Sequence, residues 1–228
     1  MSYVASAPYY TRSAMPSYIQ VAASTRGLGK FLRYVRTLIF RGESPSRHSS
    51  EAEVPVNWHE SFIEHLASVL KPKVYVELGL YRCALFNRII PHADHLIGVD
   101  LDAEVKNWIA KCDKVEFVHS STDDYAIALR QRPIAIDMLF IDADHSSGQV
   151  LKDFWNFFPF VSWHGLILLH DTHPKSMDFT QAGHCLDAYK AVEELSRHTE
   201  EFEIMTIPVH PGLTLCRKRI RQLSWMER

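Results

Sequence analysis

The chain has 228 residues, 46% of them hydrophobic and 23% charged, with nine glycines. That is the make-up of a soluble globular protein, either one large domain with an extension or two small ones, and it excludes wholesale disorder, collagen-like repeats and low-complexity architectures. A net charge of -2 excludes nucleic-acid binding by bulk electrostatics, and no apolar run reaches the roughly 18 residues that a membrane span requires.

Charge is unevenly distributed. Residues 1–50 carry Arg12, Arg26, Lys30, Arg33, Arg36, Arg41 and Arg47 against one acid, Glu43, for a net of +6; the remainder carries -8. Within this arm, Gly27 to Phe40 places Leu28, Phe31, Leu32, Val35, Leu38 and Ile39 at near-helical spacing between basic residues, which predicts a basic amphipathic helix. Residues 42–54 read as a linker. The chain is therefore divided into an arm, 1–54, and a domain, 55–228. The helix suits packing on the domain or on a second copy as a homo-oligomer. It also suits a membrane surface, and the Arg- and Ser-rich composition fits an organellar transit segment. Cys83, Cys112, Cys185 and Cys216 show no CxxC spacing and lie in or beside apolar stretches. Buried free thiols in a reducing, cytoplasmic setting are expected.

From residue 55 the pattern alternates. Asn57 to Leu70 predicts an amphipathic helix that stops before Pro72. Short apolar runs follow at Val74–Leu78, Leu96–Asp100, Val115–His119, Ile136–Ile141, Leu166–His170, Phe202–Ile207 and Leu213–Cys216. Near-continuous apolarity in short runs predicts strands buried on both faces. Helices are predicted over 82–90, 103–111, 122–131, 147–158 and 183–198. Only Pro208 to Gly212 separates the last two strands, too few residues for a crossover, so they should be antiparallel. The expected fold is α/β: a doubly wound, Rossmann-like seven-stranded sheet, five strands parallel, closed by a C-terminal antiparallel hairpin, with helices on both faces.

In such sheets ligands bind at the carboxyl ends of the strands. Those ends read Glu77-Leu78-Gly79, Asp100-Leu101-Asp102, Ser120 to Asp123, Asp142-Ala143-Asp144-His145 and His170-Asp171-Thr172-His173. Any one acid here is equally a helix cap; five strand ends agreeing points to a binding edge. Gly79 would let backbone approach a ligand. Asp100 can accept two bonds from a ribose diol, and Ser121 to Asp123 can line a base. The first turn, ELGLYRCA, lacks the spacing of a phosphate cradle. A nucleoside without a phosphate chain fits better than a dinucleotide.

These motifs resemble the class I S-adenosylmethionine-dependent methyltransferases over about residues 55–220. Within them, the chain is similar to small-molecule O-methyltransferases of the catechol/caffeoyl-CoA type and of the antibiotic- and sugar-tailoring type. VELGLYR, GVDLD, DMLFIDADHSSGQVLKDF, GLILLHDTHP and TIPVHPGLTLCRK each resemble a family motif. The resemblance implies S-adenosylmethionine held by Glu77, Gly79, Tyr81, Asp100, Ser121, Asp123 and Asp142, and a small-molecule hydroxyl acceptor. It implies a divalent metal, Mg²⁺ or Mn²⁺, on Asp142 and Asp171, with His170 or Thr172 at a third position; His170 is the expected ligand there, and His145, standing where catechol-type relatives place a lysine, is the expected general base. Cys83 and Ala84 stand where the family usually has small residues, often glycine, so side chains there can crowd the methionine end. Two other classes remain open: a metal-dependent hydrolase using His145, His170, Asp171 and His173, and a catalytically decayed binding protein on the same fold. The segment Pro174 to Leu186 is expected to cover the acceptor, with Lys175, Asp178, Gln181 and His184 as its polar set.

Overall fold

Strand β1 (Val74–Leu78) shows how the sequence builds the layers. Successive side chains of a strand point to opposite faces. Val76 and Leu78 enter the large apolar cluster on one face, with Ile97, Val99, Leu139, Ile141 and Ile167. Tyr75 points the other way and packs on Phe86, ring centroids 6.3 Å apart. Both faces are therefore covered, which is why the apolar runs are continuous rather than alternating. The computed structural model describes residues 57–198 and 200–218. The arm 1–54, its amphipathic helix and the oligomer contact expected of it lie outside them.

After helix α1 (Trp58–Leu70) and β1 come α2 (Ala84–Ile89), β2 (His95–Asp100), β3 (Val115–His119), α3 (Thr122–Gln131) and β4 (Ile136–Ile141). Helix α4 (Ser147–Phe157), β5 (Val161–His170), α5 (Ala188–Leu195), β6 (Phe202–Ile207) and β7 (Leu213–Lys218) follow. The sheet order is β3-β2-β1-β4-β5-β7-β6, with β7 antiparallel to both β5 and β6. The expected seven strands, parallel core and closing hairpin are all present. The described helices are too short and polar to cross a membrane.

Strand β5 begins earlier than expected, at Val161 rather than Leu166, and two helices differ from expectation. The helix predicted over 103–111 is a 3-10 turn, Ala103–Asn107. Beyond it the Asn87 side chain binds the main chain on both sides of Ile109, donating to Trp108 O at 2.8 Å and accepting from Ala110 N at 2.9 Å, which competes with helical pairing. The helix predicted over 183–198 begins only at Ala188, because Gly183 and Leu186 adopt positive φ.

Strand order reverses between β1 and β4, the switch point where doubly wound sheets bind ligands. There the two chains nearly touch. Gly79 has φ +84°, and a Cβ on it would lie 2.3 Å from the Asp142 carbonyl oxygen. The glycine serves the approach of β1 to β4. Gly79→Ala should therefore cost roughly 2–5 kcal/mol in denaturant unfolding. Gly148→Ala, in the first turn of α4 with nothing within 4 Å of its Cβ, should stabilise by up to about 1 kcal/mol. Equal effects would contradict this reading of the crossing.

Candidate functional site

A cavity of about 340 Å³ opens at the carboxyl ends of β1 to β4, lined by Gly79, Asp100, Ser121, Asp123, Asp144 and Gln149 among others. Three acidic residues line it, and among the described residues no lysine or arginine does. Asp100 is not a helix cap. Its Oδ2 accepts from Leu80 N and its Oδ1 from Asp102 N, both at 2.8 Å. Each oxygen keeps a second acceptor position for a ligand hydroxyl. Capping falls to neighbours: Asp102 accepts from Glu104 N, and Ser121 from Asp124 N at the start of α3. Asp123 is paired with Lys152 and Asn156.

Beside this cavity the β4 and β5 ends bring four predicted residues together. His170 Nδ1 lies 2.8 Å from Asp142 Oδ1. His145 bridges the two carboxylates, with Nδ1 2.8 Å from Asp171 Oδ2 and Nε2 3.4 Å from Asp142 Oδ1. Its Nδ1 is also 2.8 Å from the His184 carbonyl oxygen. Asp171 sits at φ 58°, a strained conformation for a residue with a Cβ, and its Oδ1 accepts the Cys185 thiol at 3.3 Å. Burial alone would lower the His145 pKa. Hydrogen bonds to Asp142 and Asp171 overcome it and push the imidazole up to about 11. Burial would raise Asp142 and Asp171, but His170 and His145 hold both carboxyls below their usual range. The same carboxylates raise His170 against burial. As arranged here, His145 is a cation with no free site for a proton, so the role of base expected of it needs the carboxylates engaged elsewhere.

Asp142, His170 and Asp171 each offer a ligand atom, all within 4.8 Å of one another. Two carboxylate oxygens and one imidazole nitrogen suit a divalent cation of intermediate softness. The donor set fits the metal implied by the motifs. His173 does not join it among the described residues and is exposed, which removes a ligand from the hydrolytic alternative.

A second cavity, about 370 Å³, follows Asp171 and is lined by Thr172, His173, Pro174, Ser176, Met177, Thr180 and Tyr189. From the segment expected to cover the acceptor, its polar lining takes Ser176 and Thr180, and not Lys175, Asp178, Gln181 or His184. Lys175 lies over the Phe179 ring, 4.5 Å from its centroid, and His184 contributes its backbone carbonyl to His145.

Three expected residues lie elsewhere. Glu77 is buried on the α1–α2 face, accepting from Tyr75 Oη at 2.6 Å, and does not line the cavity. Tyr81 is 80% exposed, its ring 5.5 Å from the Arg82 guanidinium carbon, and does not line it either. Cys83 does not crowd the cavity: at φ 58° its thiol turns into the core toward Val105 O, 3.7 Å away. The sequence reading missed His59, whose ring packs on His170 at 4.1 Å between centroids. Burial first, then the charge on His170, push His59 down to about 3. It also missed Gln149.

A family model described as "Methyltransferase domain" matches residues 76–172. Solved structures share the fold at low identity. An O-methyltransferase from Bacillus cereus in complex with S-adenosylhomocysteine gives a TM-score of 0.58 at 12% identity, covering 88% of this chain and 96% of that one. TomG, an O-methyltransferase from Streptomyces achromogenes in complex with S-adenosylmethionine, gives 0.61 at 14%, covering 83% and 89%. A methyltransferase from Podospora anserina bound to S-adenosylhomocysteine gives 0.56 at 15%, covering 92% and 100%. No curated protein sequence matches the chain.

Burial raises the Glu77 pKa well above its ordinary value, so the folded protein favours its neutral form. Ionisation therefore costs the native state nothing below the unfolded pKa and progressively more as pH rises through it. Glu77→Gln keeps an acceptor for Tyr75, and its stability relative to wild type should grow from pH 4 to pH 7.5 in thermal unfolding. A constant deficit at every pH would show that Glu77 is needed as a carboxylate.

Proposed function

We propose that the chain is a class I S-adenosylmethionine-dependent methyltransferase that moves the methyl group to a hydroxyl oxygen of a polyhydroxylated small molecule such as a sugar, a polyol or a natural product; the methyltransferase-domain match over residues 76–172 and the fold shared with O-methyltransferases support this reading. The observation that carries this reading is the pairing of an acceptor-rich cavity with a cluster of carboxylates and imidazoles at the same strand ends. Asp100, Asp123 and Asp144 line the cavity without a basic residue. That charge opposes a pyrophosphate and favours a nucleoside whose far end is cationic, as a sulfonium and an ammonium are. Asp100 would take the ribose hydroxyls. Ala143 lines the cavity immediately after Asp142 in the chain, so the methionine end would lie toward the cluster.

Methyl transfer to oxygen is an in-line displacement at carbon, and aligning acceptor and sulfonium can supply much of the rate. The hydroxyl must also lose its proton. Asp142, His170 and Asp171 would hold a divalent cation, which when bound lowers the pKa of a nearby hydroxyl and orients it. With those carboxylates so engaged, the His184 carbonyl would still accept from His145 Nδ1, and Nε2 would be left able to take a proton. The second cavity supports a hydroxyl-bearing acceptor, since Thr172, Ser176 and Tyr189 can donate to such a molecule and Thr180, whose hydroxyl donates to Met177 O, can accept from it.

S-adenosylhomocysteine should bind with micromolar affinity by calorimetry, and Asp100→Ala should weaken it by at least tenfold, through loss of charge-assisted bonds to the ribose. Unchanged binding in that variant would remove Asp100 from the site. Methyl transfer to a panel of polyols and glycosides should fall about 100-fold or more on chelation, and likewise in His145→Ala. Activity that survives both treatments would contradict the metal-and-base scheme while leaving transfer by alignment intact.

A further inference from the structure

We propose that Asp153 is a positioning residue for cofactor recognition, locking the Gln149 amide so that its carbonyl oxygen faces the cavity and selects a purine with an exocyclic amine over its 6-oxo counterpart. This rests on the cavity at the β1–β4 ends being the cofactor site.

The argument starts from a residue that should not be where it is. Asp153 is 0% exposed, on the buried face of α4 with Val150, Phe154 and Phe157. Burying a carboxyl among aromatic rings costs free energy that an apolar residue would not. What it does there is accept two hydrogen bonds at one oxygen. Thr122 Oγ1 donates to Asp153 Oδ1 at 2.6 Å, and Gln149 Nε2 donates to the same oxygen at 2.9 Å. Gln149 Nε2 also donates to Thr122 Oγ1 at 3.2 Å. Both contacts leave from Gln149 Nε2, so the nitrogen side of the amide is turned to this inward network. Its other polar atom is Oε1, and Gln149 lines the cavity together with Ser121, Thr122 and Asp123. Thr122 has its hydroxyl proton committed to Asp153, so it cannot donate into the cavity either.

Turning the amide over would set Gln149 Oε1 against Asp153 Oδ1, acceptor against acceptor. Asp153 Oδ2 is buried without a partner, and burial pushes the carboxyl up to about 6. A proton carried near neutrality would sit on Oδ2, leaving Oδ1 an acceptor in either state. The lock therefore holds whether or not Asp153 is ionised. At the cavity it presents a fixed acceptor. The 6-amino group of adenine donates to such an atom, whereas the 6-oxo group of hypoxanthine places a lone pair against it.

The test is calorimetry on the full chain with S-adenosylhomocysteine and with S-inosylhomocysteine. Wild type should prefer the adenosine compound by at least tenfold. Gln149→Leu should lose about threefold to tenfold of S-adenosylhomocysteine affinity and leave the inosine compound within twofold, so the preference collapses. Asp153→Leu should narrow the preference by a different route: the freed amide rotates and donates to the 6-oxo group, raising affinity for the inosine compound. A merely structural loss would weaken both ligands in step. Asp153→Asn, which can keep an acceptor toward Gln149 and Thr122, should retain the preference. If Asp153→Leu fails to fold, Thr122→Val removes the other anchor and should narrow the ratio. Equal binding of both compounds by wild type, or a preference untouched by Gln149→Leu, overturns this inference and leaves the cofactor reading standing. No binding of S-adenosylhomocysteine by wild type overturns the cofactor reading and this inference with it.

Discussion

Everything at the candidate site depends on two chains crossing at close quarters. Where the sheet reverses its order, the turn after β1 runs against the end of β4 so tightly that only a glycine at position 79, in a left-handed conformation, can be accommodated. Asp142 N also donates to Leu78 O at 2.9 Å, extending the β1–β4 ladder past the strand ends. This junction sets the position of Asp142, and with it both halves of the site. On one side lies the acidic cavity bounded by Asp100, Asp123 and Asp144. On the other lies the cluster of Asp142, His145, His170 and Asp171.

The two halves balance charge in opposite ways. In the cavity Asp123 is neutralised by Lys152, while Asp100 and Asp144 are tied to backbone N–H groups and their negative potential is left for a ligand to use. In the cluster, two carboxylates on adjacent strands are forced together by the parallel register of β4 and β5. Such a pair is tolerable only with compensating positive charge. Here His145 and His170 lie against them, and the carboxylates raise both imidazoles, favouring their charged forms. A divalent cation would answer the same electrostatic demand. Protons and metal would then be alternative occupants of one field, and His145 is the residue whose chemistry changes between them.

Much of the fold was legible because buried parallel strands leave a coarse signature. The runs at Val74–Leu78, Val115–His119 and Ile136–Ile141 coincide with β1, β3 and β4. The start of β5 at Val161 was not legible, because Ser162, His164 and Gly165 interrupt the apolar run, and Trp163 and His164 are exposed there. The cluster at the β4 and β5 ends was visible for the same reason as the sheet: strand ends are adjacent once strand order is known. Glu77 and Tyr81 were assigned to the cavity on motif position alone. Strand alternation already separates Glu77 from Val76 and Leu78 and places it with Tyr75, on the face away from the cluster that holds Val99 and Ile141. Gln149 and Asp153 were missed because their role lies in which amide atoms are spent, and that is a property of three side chains meeting between two helices. The one trace in the sequence is an acid inside the apolar stripe Val150, Phe154 and Phe157.

The central claim is that one junction serves two ends of a single reaction, a nucleoside cavity on one side and a proton- and cation-handling cluster on the other. The most direct measurement is a crystal structure of the protein with S-adenosylhomocysteine and Mn²⁺. The account predicts adenosine bound between Asp100 and Gln149, the sulfur directed toward the second cavity, and Mn²⁺ on Asp142, His170 and Asp171 with His145 released from the carboxylates. A nucleoside bound elsewhere, or a sulfur pointing away from the cluster, would contradict it.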